Sequence, residues 1–104
     1  MNTKLNLDEY DKNTELTLKG IKYLIPPITY KVRNDLMNIF NEITNSKDEE
    51  AKRNADLTLI IAYLNTNLDK VLFTIEELES KINAYQINML TEFILNQIRG
   101  IEKN

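Results

Sequence analysis

Near its start the chain alternates apolar and polar residues, and after two prolines the apolar residues recur at helical spacing. Residues 15–25 have the two-residue period of β-strands, with Lys19 and Gly20 at their centre. Gly20 can adopt the positive φ that a tight turn requires. Pro26 and Pro27 cannot donate to a β-ladder. The pattern therefore predicts a β-hairpin that ends before the prolines.

The rest of the chain has apolar residues at the spacing of amphipathic helices. Thr29 is placed to cap the first helix, and Thr74 and Glu77 have the spacing of a capping box. Gly100 follows the last periodic residue, as a helix-ending glycine does. The predicted helices cover about 30–43, 49–68, 75–82 and 84–99.

This order of elements predicts an α+β fold, mostly α, in which an N-terminal β-hairpin precedes a small bundle of three to four helices. The 104 residues suit one domain, which we place at 14–104, after a flexible leader at 1–13. Within the leader, Lys4–Leu7 could form a short edge strand. Because a lone two-stranded hairpin is marginally stable, we expect it to pack on the helices or join a sheet shared with another subunit, and the chain to self-associate.

Two of the predicted helices carry apolar residues on two faces. The helix at 49–68 is therefore either buried on both sides or lends one side to a partner. In the last helix, an aliphatic stripe suits a core, and a softer stripe of Tyr85, Met89 and Phe93 suits either the core or an adaptable binding surface. The aliphatic stripe consists of Ile87, Leu90, Ile94 and Ile98. We expect the softer stripe to be the partner-binding site, contacting an apolar helical protein client.

Composition argues against catalysis. The chain has no His and no Cys, which removes the commonest general base, the thiol nucleophile and the usual transition-metal ligands. Its only glycines, Gly20 and Gly100, cannot form a phosphate-binding loop. Acidic residues at 48–50 and 76–79 are explained as complements to helix N-terminal dipoles. The sequence predicts a protein that is not an enzyme and uses no cofactor, metal or small-molecule substrate.

Charge and hydropathy indicate which partners and which cellular compartment to expect. The net charge is −3, and the basic residues form no cluster suited to a nucleic-acid backbone. Residues 1–7 lack the apolar run of a signal peptide, and no stretch is long enough to span a bilayer. With no Cys, a reducing compartment is the expected home. We expect a cytoplasmic protein that binds neither nucleic acid nor membranes.

Two segments resemble a known family. The run at 16–29, a hairpin that leads through Ile25-Pro26-Pro27-Ile28-Thr29 into a helix, is similar to the opening of tail assembly chaperones of long-tailed (siphovirus-type) bacteriophages. The run at 73–78, followed by a last helix with Ile94-Leu95, resembles their C-terminal half. The resemblance covers about 14–98. It implies a non-catalytic, self-associating chaperone that coats the helical tape-measure protein during tail assembly in the host bacterial cytoplasm.

A second reading is a small phage-encoded inhibitor that binds a host defence protein. Such a protein would also be compact, acidic and free of catalytic residues. Its acidic groups would face a basic partner, so binding would weaken steeply with salt.

Overall fold

The computed structural model of the protein describes residues 3–100, apart from the side chains of Ala51 and Arg53. The first two residues of the predicted leader and the last four of the predicted domain lie outside the described residues. The elements confirm an α+β, mostly α chain with an N-terminal hairpin. In chain order they are a 3-10 helix (Leu7–Tyr10), β1 (Thr14–Leu18), β2 (Ile21–Ile25), α1 (Tyr30–Thr44), α2 (Glu49–Arg53), α3 (Ala55–Leu64), α4 (Ile75–Glu79) and α5 (Ala84–Arg99).

The hairpin has the predicted two-residue turn. Lys19 has φ 52° and Gly20 has φ 79°, as in the turn type that matches the twist of antiparallel strands. Leu18 pairs with Ile21 across this turn. The alternating side chains of β2 then point Tyr23 and Ile25 into the core, where both are buried.

The two outer edges of this small sheet differ. In a two-residue hairpin, every second residue of a strand points its backbone groups away from the partner strand. On β2 the outward residues are Lys22 and Leu24, and the Leu24 carbonyl accepts from the Leu68 amide at 2.8 Å while its amide donates to Asp69 Oδ2 at 3.1 Å. On β1 the outward residues are Glu15 and Thr17, and no backbone hydrogen bond to their outer side comes from residues 3–100. Among residues 3–100, the β2 edge is therefore covered at Leu24, whereas the β1 edge is open.

Helix α1 begins where its cap predicts, despite basic residues in its first turn. The Thr29 hydroxyl accepts from the Val32 amide at 3.2 Å. Arg33 is explained by a long-range contact, because its Nε donates to the Ile98 carbonyl at 2.9 Å, near the end of α5. That carbonyl lies at the negative end of the α5 dipole, where a cation is stabilising. Arg33 therefore joins the start of α1 to the end of α5.

Helix α3 lies at the centre of the core. Its residues are buried on nearly every side. Of the two explanations for the apolar faces of the predicted helix at 49–68, burial on both sides is therefore the one that holds for α3. Helices α1, α4 and α5 all pack against it. The buried residues of α3 are Ala55, Leu57, Leu59, Ile60, Tyr63 and Leu64.

The predicted continuous helix at 49–68 is wrong at two places. Asn54, with ψ 7°, separates α2 from α3, and α3 ends at Leu64. The end is caused by asparagine side chains that bond to backbone outside the helix: Asn65 Oδ1 accepts from the Phe73 amide at 2.8 Å, and Asn67 Oδ1 accepts from the Val71 amide at 3.0 Å. Residues 65–73 therefore form an ordered loop.

Two shorter predictions also need correction. The helix predicted at 75–82 ends at Glu79, because the Ser80 hydroxyl donates to the Glu77 carbonyl and the chain turns into the cap of α5. Thr74 caps α4 as predicted, but the Glu77 carboxylate pairs with Lys81 at 3.1 Å and not with the cap backbone. The reciprocal capping box lies instead at the start of α5, between Asn83 and Gln86.

The short edge strand predicted within the leader is not formed among residues 3–100. Lys4–Asn6 has no strand partner there, and Leu7 begins the 3-10 helix. The Asn6 side chain accepts from the Asp8 amide at 3.1 Å, and this cap fixes the start of that helix. Asn6 itself keeps an extended backbone, with φ −107° and ψ 101°.

Candidate protein-binding groove

An open apolar groove of about 360 Å³ lies between the open strand β1 and helices α4 and α5. One wall is the whole of β1, and the other is formed mainly by apolar side chains of the two helices. Leu64, the last residue of α3, also lines the groove. The lining residues outside β1 are Leu64, Leu78, Ile82, Gln86, Met89, Leu90 and Phe93.

The two stripes of α5 have different surroundings. Ile94 and Ile98, of the aliphatic stripe, are buried in the core and fix the rotation of the helix. That rotation turns Tyr85 and Met89 outward, leaving their side chains 73% and 58% exposed. The asparagine cap at the start of α5 and Gly100 at its end, with φ 72°, define its length.

Phe93 belongs partly to the core, unlike the other two residues of its predicted stripe. Its ring lies 6.4 Å from that of Tyr63, with the planes at 67°, which is an edge-to-face contact. It is half-buried and still lines the groove. The structure therefore brings Met89 and Phe93 together at the groove and leaves Tyr85 on the same helix, one turn before Met89.

Sequence reasoning missed the second wall of the groove. Leu16 and Leu18 of β1 are half-buried and face the helices, but the alternating pattern of a hairpin does not say which helix it packs against. Ile82, which the helical spacing places at the end of the predicted helix 75–82, lies in the turn before α5. Neither the alternation in β1 nor the helical spacing around Ile82 predicts a groove between the hairpin and α5.

Beneath the groove, Tyr63 has a perturbed phenol. Burial raises its pKa above the ordinary value of 10.0, and a hydrogen bond with the Thr14 side chain offsets part of the shift. The folded state therefore binds this proton more tightly than the unfolded state. By linkage, the stabilisation is fully present below pH about 10 and is lost as the pH rises through the raised pKa.

We expect this linkage to be visible in alkaline unfolding. The free energy of unfolding of the wild type should fall more steeply above pH about 10 than that of Tyr63→Phe, which has no proton to lose at this position. Urea titrations of both proteins from neutral to alkaline pH measure the difference. Parallel pH dependence of the two proteins would contradict the assignment.

The other chemistry of the described region is sparse. Residues 3–100 contain no group of three His, Cys, Asp or Glu side chains arranged to hold a metal ion. Among the same residues, no helix combines the length and apolarity needed to cross a bilayer. Comparisons with family models, curated proteins and solved structures found no match for this chain. The groove and the exposed part of α5 form the candidate protein-binding surface.

Proposed function

We propose that this protein is a non-catalytic chaperone that binds an apolar helical segment of another protein, of the tape-measure type, along the exposed face of α5 beside the groove. The observation that carries the proposal is the exposure of Tyr85 and Met89 beside an apolar groove. Exposed apolar side chains next to one another are costly in a soluble protein and are typical of surfaces that a partner covers.

The chemistry of this surface supports a helical client. Met89 is flexible and polarisable, and Tyr85 combines apolar area with a polar end, so both adapt to varied side chains. An amphipathic client helix presents apolar residues at every third or fourth position, which matches the spacing of Tyr85, Met89 and Phe93 on α5. The residue runs that resemble tail assembly chaperones give the proposal its particular client.

The double variant Tyr85→Ala, Met89→Ala should weaken client capture by roughly 30-fold or more, equivalent to about 2 kcal/mol. Its free energy of unfolding should stay close to that of the wild type, because both side chains are mostly exposed. The measurement is co-purification with a tape-measure fragment encoded by the same genome, followed by titration of the complex. Phe93 is left intact because its contact with Tyr63 would confound the result.

Tyr30→Ala is a matched control, since Tyr30 is as exposed as Tyr85 but lies on α1, away from the groove. Undiminished capture by the double variant would remove α5 as the client surface. Complete lack of capture by the wild type, together with salt-sensitive binding to a basic host protein, would favour the inhibitor reading.

A further inference from the structure

The open edge of β1 lies directly above the groove. Glu15 and Thr17 each direct one amide and one carbonyl away from β2, so this edge offers two donors and two acceptors to an added strand. The inner face of such a strand would lie over the groove wall that includes Met89 and Phe93. Backbone groups at the edge and apolar side chains below it together specify an extended segment with alternating apolar residues.

The chain itself contains a segment of this kind. In Lys4–Leu7 the two leucines are two residues apart, so both fall on one face of a strand, and Lys4 and Asn6 fall on the other. Leu5 is 75% exposed and Leu7 is 70% exposed. The segment thus has the pattern that the groove requires, and its apolar side chains lack cover in the described chain.

We propose that Lys4–Leu7 of a second copy of this chain adds to the outer edge of β1 as an antiparallel third strand, and that its leucines enter the groove. The register that satisfies the edge places Asn6 opposite Glu15 and Lys4 opposite Thr17, with four backbone hydrogen bonds between them. Leu5 then lies beside Leu16 on the inner face.

Charge selects this register over its neighbour. On the outer face Lys4 lies diagonally across from Glu15, an attractive pair. Sliding the added strand by two residues toward the turn would place Lys4 opposite Lys19, and like charges directly opposite are destabilising. Glu15 already pairs with Lys22 at 3.3 Å, so Lys4 would extend an existing row of alternating charge.

The described path of the leader favours a second copy over the chain's own edge. The segment runs into the capped 3-10 helix at Leu7, and residues 9–10 and 12–14 line a second cavity with Phe93, Gln97 and Gly100. Pairing with its own edge would require this connection to leave that position. Exchange between two copies keeps the cavity-lining residues in place, requires only Leu7 to leave the 3-10 helix for an extended conformation, and covers both the leucines and the edge.

The inference does not rest on the proposed function, because self-association is measured without a client. We expect the full-length wild type to form dimers or larger species at high concentration in sedimentation velocity. Leu5→Asp, Leu7→Asp should raise the dissociation constant by at least about thirtyfold, since two buried leucines are lost from the contact. Leu72→Asp, at an equally exposed leucine, should associate like the wild type. An unaffected association of the double variant, or a wild type that stays monomeric, overturns the proposal.

Disulfide trapping separates exchange from closure within one chain. The natural chain has no Cys, so a mixture of full-length Lys4→Cys and full-length Thr17→Cys can cross-link only between these positions or between identical copies. Opposed residues of a hydrogen-bonded pair lie at about 5.5 Å between Cα atoms, within disulfide range. The expected result is a disulfide heterodimer that forms in preference to either homodimer. A Lys4→Cys, Thr17→Cys double variant that cross-links only within one chain would show own-edge pairing and overturn the second-copy proposal.

Discussion

Replacing Leu59 by Ala should lower the free energy of unfolding by about 2–5 kcal/mol, the largest effect that we expect from any single change. Leu59 is fully buried in α3, the helix against which α1, α4 and α5 all pack. Truncation removes apolar burial and leaves a cavity that cannot collapse without moving several helices. Urea unfolding followed by circular dichroism measures the loss.

Leu72→Ala is the control for this change, because Leu72 is 75% exposed in the loop before α4. It should alter stability by less than about 0.5 kcal/mol. If both variants lost the same stability, α3 would not be the centre of the core. A change in the denaturant slope of the Leu59 variant would show instead that the unfolding had ceased to be two-state.

Replacing Asn67 by Ala should cost about 2–4 kcal/mol, although the side chain is polar and lies in a loop. Asn67 is buried, and its Nδ2 donates to the carbonyls of Leu64 and Val71, each at 2.7 Å. Its Oδ1 accepts from the Val71 amide at 3.0 Å. Removal leaves the Val71 amide and carbonyl without a partner, and each unsatisfied buried group costs about 1–3 kcal/mol, while the Leu64 carbonyl still accepts from the Asn67 amide.

Asn67→Asp separates hydrogen bonding from packing. The carboxylate keeps the shape of the amide and can accept from Val71, but it places an oxygen against two carbonyls and should be at least as destabilising as Ala. Asn38→Ala, at an exposed position of α1, should be nearly neutral. Thermal melts of the three variants give the ranking, and a neutral Asn67→Ala would mean that water replaces the side chain without loss.

Elements that depend on local chemistry could be predicted from the sequence. The turn at Lys19 and Gly20 follows from the tolerance of glycine for positive φ, and the start of α1 follows from the cap at Thr29. The end of α5 at Gly100 has the same kind of cause. In each case the residues that decide the structure are neighbours in the chain.

The errors have a different origin, because they depend on contacts between distant residues. The helix predicted at 49–68 continues to Leu68 on apolar spacing alone, whereas Leu68 is needed by the edge of β2, 44 residues earlier. Arg33 is unfavourable at a helix start by the dipole rule, and only its distant contact with Ile98 explains it. Periodicity describes a single element and contains no information about such partners.

The candidate site shows the same division. The stripe of Tyr85, Met89 and Phe93 could be read from helical spacing, since it needs only one helix. The sequence could not show that Tyr85 and Met89 are exposed while Phe93 contacts Tyr63, because this difference depends on the rotation of α5 on the core. The wall supplied by β1 depends on how the hairpin is placed over the bundle.

The covering of Leu24 on the β2 edge has a consequence for how the protein behaves when it is abundant. A continuous cross-β ribbon grows by adding strands to both sides of a sheet. Here Leu68 and Asp69 occupy one side with groups from the same chain, and Phe73, in edge-to-face contact with Tyr23 at 5.2 Å, anchors the loop that carries them. The β2 side is thus blocked at Leu24, and we expect edge-to-edge growth of the native sheet to proceed mainly from the β1 side.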